Sequence, residues 1–253
     1  MSGGRVIWAL VRRALNEITR VPGAVIPGAL APTIFMLGLS SVFGAADRLP
    51  GFDAPNFRSF VLPVGFLQGA GFAGAATGVN LARDIEQGWF DRLLLSPTPR
   101  LALLAGVIGS ASLRSLIPAT VLLGVGLALD VSWPGLAAVA LAVVLIAGFA
   151  AVSACWGTIV ALRLRTQQAA PIMQVGSFAA VLFTTSYAPK ELLSDWLSTV
   201  ATVNPVTHVL EGLRQGFVGD VTWTQTWPAL IALAGLLVFF GGLALRGLRR
   251  VDA

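Results

Sequence analysis

Six stretches of the chain are apolar for long enough to cross a bilayer as helices: 22–43, 59–82, 101–129, 136–162, 169–188 and 227–245. A helix spanning the hydrocarbon layer needs about 20 such residues. Ahead of the first stretch, Val6, Ile7, Leu10, Val11, Ala14, Leu15 and Ile18 recur at helical spacing, with Arg5, Arg12, Arg13 and Arg20 largely off the apolar stripe. That pattern predicts an amphipathic helix over 1–21, lying in the membrane interface. The same segment carries no small-residue cleavage pattern, so it is expected to stay on the chain.

Two of the connections have patterns of their own. Residues 83–100 hold six ionisable side chains among eighteen. Their apolar positions Ile85, Trp89, Phe90, Leu93 and Leu94 are spaced by three to four, which predicts a short amphipathic helix ended by Pro97 and Pro99. Residues 189–226 form a connection too long for a plain loop. Leu192, Leu193, Trp196, Leu197 and Val200 are helically spaced, and after the Asn204-Pro205 break so are Val209, Leu210, Leu213 and Phe217. Two short re-entrant helices over 189–217 are expected, buried against protein because backbone at that depth has no water to bond.

Composition agrees with a membrane protein. Of 253 residues, 56% are hydrophobic and 11% charged, and the mean hydropathy is +0.81; soluble domains carry roughly a quarter charged residues. The net charge of +5 comes from seventeen basic and twelve acidic residues. Twelve basic residues fall on one side of the six spans, together with both termini; Arg48, Arg58, Lys190 and Arg214 fall on the other, and Arg114 sits inside a span. The positive-inside rule then predicts cytoplasmic termini, a cytoplasmic 83–100 segment and an extracellular 189–217 segment. The fold expected is an all-α membrane protein of one domain with six transmembrane helices. The basic residues flank apolar spans and form no continuous patch, which argues against nucleic-acid binding.

Chemistry is scarce. Cys155 and His208 are each the single residue of their type, too few for a disulfide, a zinc site or a Ser/His/Asp constellation. No Gly-x-x-x-x-Gly-Lys-Ser/Thr phosphate loop is present. The twelve carboxylates fall in flanks and loops, so no midplane proton relay is apparent. No cofactor is expected on this chain, and any motor is expected on another. Inside the spans, Gly65, Gly69, Gly74 and Gly78 make small-xxx-small pairs that suit close helix packing. A competing reading is a substrate path lined by Phe66, Gln68, Phe72, Thr77, Gln174, Phe178, Phe183 and Thr184, whose apolar and aromatic walls suit an amphipathic molecule. Arg114 is expected to snorkel towards the cytoplasmic surface. Asn204 and Pro205 suit a helix cap and first position, Glu211 and Arg214 an ion pair on one face, and His208 a polar contact. The functional alternative for these five is an extracellular gate.

Two motifs and the span pattern carry a family likeness. The first is Asp84-Ile85-Glu86-Gln87-Gly88-Trp89-Phe90-Asp91-Arg92-Leu93-Leu94-Leu95-Ser96-Pro97; the second is Asn204-Pro205-Val206-Thr207-His208-Val209-Leu210-Glu211-Gly212-Leu213-Arg214. With six spans and an interfacial N-terminal helix, the chain resembles the permease subunits of type-2 ATP-binding-cassette exporters, especially the daunorubicin-resistance branch. It departs from many of them at Trp89-Phe90, where a small or β-branched residue and Leu are common. The resemblance implies a permease of the inner (plasma) membrane that pairs with a second permease, identical or homologous. It implies two copies of a separate ATPase carrying ATP and magnesium, docked on a coupling helix at 83–100 through Asp84, Glu86, Trp89, Phe90, Arg92 and Leu93. The cargo implied is an amphipathic drug or lipid-like molecule. A channel or carrier that needs no ATPase is the alternative class.

Overall fold

The computed structural model describes residues 26–44, 54–90 and 99–250, with Trp8 and Arg12 as two further helical positions. The rest of the 1–21 interfacial segment, the 45–53 loop and residues 91–98, with Arg92, Leu93 and Pro97, lie outside the described residues. Eight α-helices follow in order: α1 (Ile26–Val42), α2 (Phe57–Glu86), α3 (Arg100–Ala128), α4 (Gly135–Leu164), α5 (Ala170–Leu182), α6 (Asp195–Val203), α7 (Pro205–Val218) and α8 (Trp223–Arg250). Short 3-10 turns at Gln167–Ala169 and Lys190–Leu192 flank α5 and α6, and no strand occurs among the described residues. Of these helices, α2, α3, α4 and α8 are long and apolar enough to cross a membrane.

The α2 helix is the axis of the bundle, since most of its residues are buried and it meets α1, α3, α4, α5 and α7. Its contact with α4 explains the glycine spacing. A Cβ added to Gly74 would lie 2.5 Å from the Ala150 carbonyl oxygen and the Ser153 Cβ, and one on Gly78 would lie 2.5 Å from the Gly157 Cα. The two backbones touch there, which is the close-packing reading of the small-xxx-small pairs. Gly65 instead accommodates Leu122 of α3.

Two apolar cores lie along the bundle. One gathers Phe57, Phe60, Leu67, Leu122, Phe149 and α7 residues such as Leu210 and Phe217. The other, at the Glu86 end of α2, gathers Leu81, Ala82, Phe90, Val160, Ala169, Met173 and Leu248.

Three elements differ from the sequence expectation. The fifth apolar stretch, 169–188, becomes a helix of only 13 residues, about 20 Å long at 1.5 Å per residue. It stops at Leu182 because the hydroxyls of Thr184 and Ser186 both turn back onto the Val181 carbonyl, at 2.7 and 2.5 Å. Side chains of this type compete with the next helical turn. The 83–86 segment belongs to the last turn of α2 rather than to a separate helix, and Gly88 then takes a positive φ of 68°. That left-handed step ends the helical periodicity that grouped Ile85 with Trp89 and Phe90. Arg114 lies mid-way along α3 and is 8% exposed, so the bundle encloses the side chain expected to snorkel.

Candidate functional site: a broken helix and its two polar clamps

A helix that ends inside an apolar bundle leaves its last carbonyls without partners, and unpaired carbonyls there are costly. Two side chains of the second motif meet that need at the end of α5. Asn204 donates from Nδ2 to the carbonyls of Ala180 and Phe183, both at 2.8 Å. Its Oδ1 accepts the Val206 N–H at 3.0 Å, so the same amide caps α7. Pro205 takes the first helical position, where a missing N–H costs nothing. Thr207 donates to the Ala201 carbonyl at 2.6 Å and closes α6.

Arg214 is the second clamp. It is 5% exposed, and its guanidinium donates in several directions. Nη2 reaches the carbonyls of Thr185 (2.7 Å) and Ser186 (3.3 Å), and Nε the Phe60 carbonyl at 3.2 Å. Nη1 pairs with Glu211 Oε1 at 2.6 Å, and Thr185 Oγ1 donates to that same oxygen. The guanidinium carbon stands 3.8 Å from the centroid of the Phe60 ring. The planar fork of arginine suits this many acceptors, where a lysine would serve few. The ion pair with Glu211 on one helix face is present as the sequence suggests; what sequence does not display is the enclosure of Arg214, whose other acceptors are backbone carbonyls.

Glu211 is half-exposed and His208 exposed. Thr185, Ser186 and Tyr187 were not anticipated as part of this site. Their signal was a run of hydroxyl side chains, Thr184 to Tyr187, inside an apolar stretch.

The eight substrate-path candidates separate. Phe66, Gln68, Thr77 and Thr184 are buried within the bundle. Gln68 is 3% exposed and donates to the Tyr187 hydroxyl at 2.8 Å, Thr77 bonds the Ala73 carbonyl, and Phe66 packs on Phe217. Phe72 and Phe178 stack on one another, half-buried, with ring centroids 6.4 Å apart. Gln174 and Phe183 are exposed. Phe183 lines an open, mainly apolar groove of about 620 Å³ between α5 and α6, with Gly176, Ala179, Val200, Val203 and Asn204.

The Glu86 end of α2 forms another polar junction. The Glu86 carboxylate accepts the Gln167 backbone N–H at 3.0 Å and the Gln167 Nε2 at 2.7 Å. It therefore holds the 3-10 turn from which α5 starts. Phe90, grouped with the partner-facing residues on sequence, is 3% exposed and belongs to the second core. Trp89 is 38% exposed and Asp84 half-buried. Among the described residues no three His, Cys, Asp or Glu side chains converge in a metal-binding group.

Known proteins carry the same arrangement of sequence. The ABC-2 type transporter family matches residues 5–218. A daunorubicin resistance ABC transporter permease of Streptomyces coeruleorubidus is 25% identical over 95% of this chain and 85% of its own. A protein of Mycobacterium tuberculosis named as a probable doxorubicin resistance ABC transporter permease is 25% identical, over 92% of this chain and 80% of its own. A protein of Escherichia coli K12 named as a probable multidrug ABC transporter permease is 26% identical over 72% of this chain, and the match spans 49% of that longer protein. With most of its length matched, and four helices long and apolar enough to cross a membrane, the chain belongs to the ABC-2 type transporter family.

Proposed function

We propose that this chain is the multi-pass permease subunit of an ATP-driven exporter in the inner membrane, with both termini in the cytoplasm. The observation that carries the reading is the family match over 5–218. In this reading α1 and α5 join the four long helices as spans, six in all, and α6 and α7 re-enter from the outer side. Energy comes from a separate ATPase, two copies of which bind ATP and magnesium, and a second permease completes the pathway. The relatives named for daunorubicin, doxorubicin and multidrug resistance support an amphipathic drug or lipid-like cargo.

Docking falls on the segment after α2. Trp89 offers an exposed ring, Asp84 precedes it by five residues, and the sequence continues with Arg92 and Leu93. An aromatic anchor flanked by charges suits a soluble partner's groove. Glu86 and Phe90 serve the permease's own structure, since one is hydrogen-bonded to Gln167 and the other is in the core. Asn204, Pro205, His208, Glu211 and Arg214 would then form the outer gate, where a two-state element responds to ATPase closure.

The test is co-purification of this chain with the ATPase encoded beside it, followed by drug-stimulated ATP hydrolysis in proteoliposomes. Replacing Trp89 with Ala is expected to weaken association at least tenfold. Equal association and equal ATP-dependent efflux would remove the docking assignment, and efflux that persists without any ATPase would replace the exporter with a carrier or channel.

A further inference from the structure

The α5 helix is held at both ends by side chains from other elements. At its start, Glu86 of α2 grips Gln167 through both carboxylate oxygens. The turn is reached through Arg165, which sits in the left-handed region at φ 53°, and Thr166 caps it by accepting the Gln168 N–H at 3.2 Å. From Gln167 the 3-10 turn runs directly into α5 without a break. Ala169 and Met173 anchor this start in the same small core that takes Phe90. At its far end, Asn204 and Arg214 hold the carbonyls of residues 180, 183, 185 and 186.

A helix that short, rigid along its axis and clamped at both ends, passes displacement from one end to the other. The Glu86 grip is the link that would bring it movement from the docking segment. Trp89 follows Glu86 by three residues, and α2 itself is pinned against α4 by the glycine contact at Gly74 and Gly78. A push on the segment after Glu86 is therefore taken up by the last turn of α2, beyond the glycine contact, and reaches the 166–169 turn and α5 through Glu86.

We infer that Glu86 is a positioning residue whose hydrogen bonds to Gln167 make α5 the strut through which events at the docking segment reach the broken outer end of that helix. The inference rests on the exporter reading. It assigns Glu86 no contact with the ATPase: its carboxylate acts inside the permease.

The experiment uses the full chain with its ATPase in lipid nanodiscs, in a Cys155→Ala background, with spin labels at Val175→Cys on α5 and Val203→Cys on α6. Both positions are exposed. Addition of ATP and vanadate is expected to shift the inter-label distance distribution. Glu86→Ala should abolish the shift and Gln167→Ala should reduce it, because the bond from the 167 backbone N–H survives. In both the ATPase still co-purifies, the double variant should be no worse than Glu86→Ala, and Glu86→Gln should restore most of the shift. A purely structural role would lower the melting temperature and ATPase co-purification along with the shift, whereas the positioning role loses the shift alone.

A shift that persists in Glu86→Ala, or an additive double variant, overturns the positioning role. So does an unshifted unsubstituted complex that nevertheless binds the ATPase. If the ATPase does not bind the unsubstituted chain at all, the exporter reading itself fails, and the inference with it. Glu86→Gln keeps the test decisive should the alanine variant fail to fold, because the amide retains an acceptor for the Gln167 N–H. A Gln167→Ala variant that shifts like the unsubstituted chain then overturns the role without the alanine at 86.

Discussion

Asn204 and Phe183 stand 21 positions apart, yet the side-chain amide of the first donates to the carbonyl of the second at 2.8 Å. The same nitrogen serves Ala180, while the oxygen of the amide caps α7. One side chain thus ends one helix and starts another. Asparagine suits the place because it offers donors and an acceptor in one plane.

Capping and carbonyl binding can be separated by substitution. Aspartate caps helices as well as asparagine does, but it has no N–H to offer the two carbonyls. Asn204→Asp is expected to destabilise the protein at least as much as Asn204→Ala, by about 2–4 kcal/mol, from two unpaired carbonyls and a carboxylate facing them. Thermal unfolding in detergent would show it. An Asp variant close to the unsubstituted protein would mean that the cap is all that matters.

The arginine clamp predicts an order of damage. Arg214→Ala should cost about 3–5 kcal/mol, because it leaves the enclosed carbonyls of Phe60, Thr185 and Ser186 without donors. Arg214→Lys should recover little, because an ammonium cannot reach the Phe60, Thr185 and Ser186 carbonyls together. Glu211→Gln should be the mildest, since it keeps an acceptor for Nη1. Melting temperatures ranked with Glu211→Gln as the worst would show that charge, and not fork geometry, dominates.

Gln68 and Tyr187 form an isolated pair between α2 and the 183–189 segment. Gln68→Leu alone leaves the phenol without its partner and should cost about 1–3 kcal/mol. The double change with Tyr187→Phe should recover most of that loss, because both polar groups leave together. The double-mutant cycle checks it: additive losses would mean that the hydrogen bond contributes nothing.

Adjacent residues after α2 should fail in different ways. Phe90→Ala removes a core ring and should lower stability by about 3–5 kcal/mol. Trp89→Ala should leave the melting temperature nearly unchanged and weaken ATPase association. Measuring both quantities on both variants decides it, and matching profiles would dissolve the distinction between core and docking face.

Much of this was visible in the chain itself. Long apolar stretches become α2, α3, α4 and α8, and Asn204-Pro205 falls between α6 and α7 as the break suggested. The glycines of α2 mark a close crossing. What escaped is what depends on partners far along the chain. Hydropathy treats Thr184 and Ser186 as tolerable within a span, and it cannot show that their hydroxyls end α5. Sequence pairs Arg214 with Glu211, three positions away, but not with the carbonyls of Phe60, Thr185 and Ser186. Helical counting carried through Gly88 groups Phe90 with Trp89, but the backbone turns left-handed there and Phe90 enters the core. Glu86 and Gln167, separated by 81 positions, have nothing in either local pattern to join them.

Where α2 crosses α4, Gly78 lies main chain to main chain on Gly157, and Gly74 lies against the Ala150 carbonyl and the Ser153 Cβ. Such a contact has one seating. Sliding by a residue would bring Ala150 or Ser153 against a Cβ, and prising the helices apart would open a void in a medium that cannot fill it cheaply. Any cycle of opening and closing therefore leaves this crossing as a stationary mast, with the last turn of α2 beyond it. Movement then falls to the parts fastened by hydrogen bonds that can be exchanged for others, which in this chain are the ends of α5.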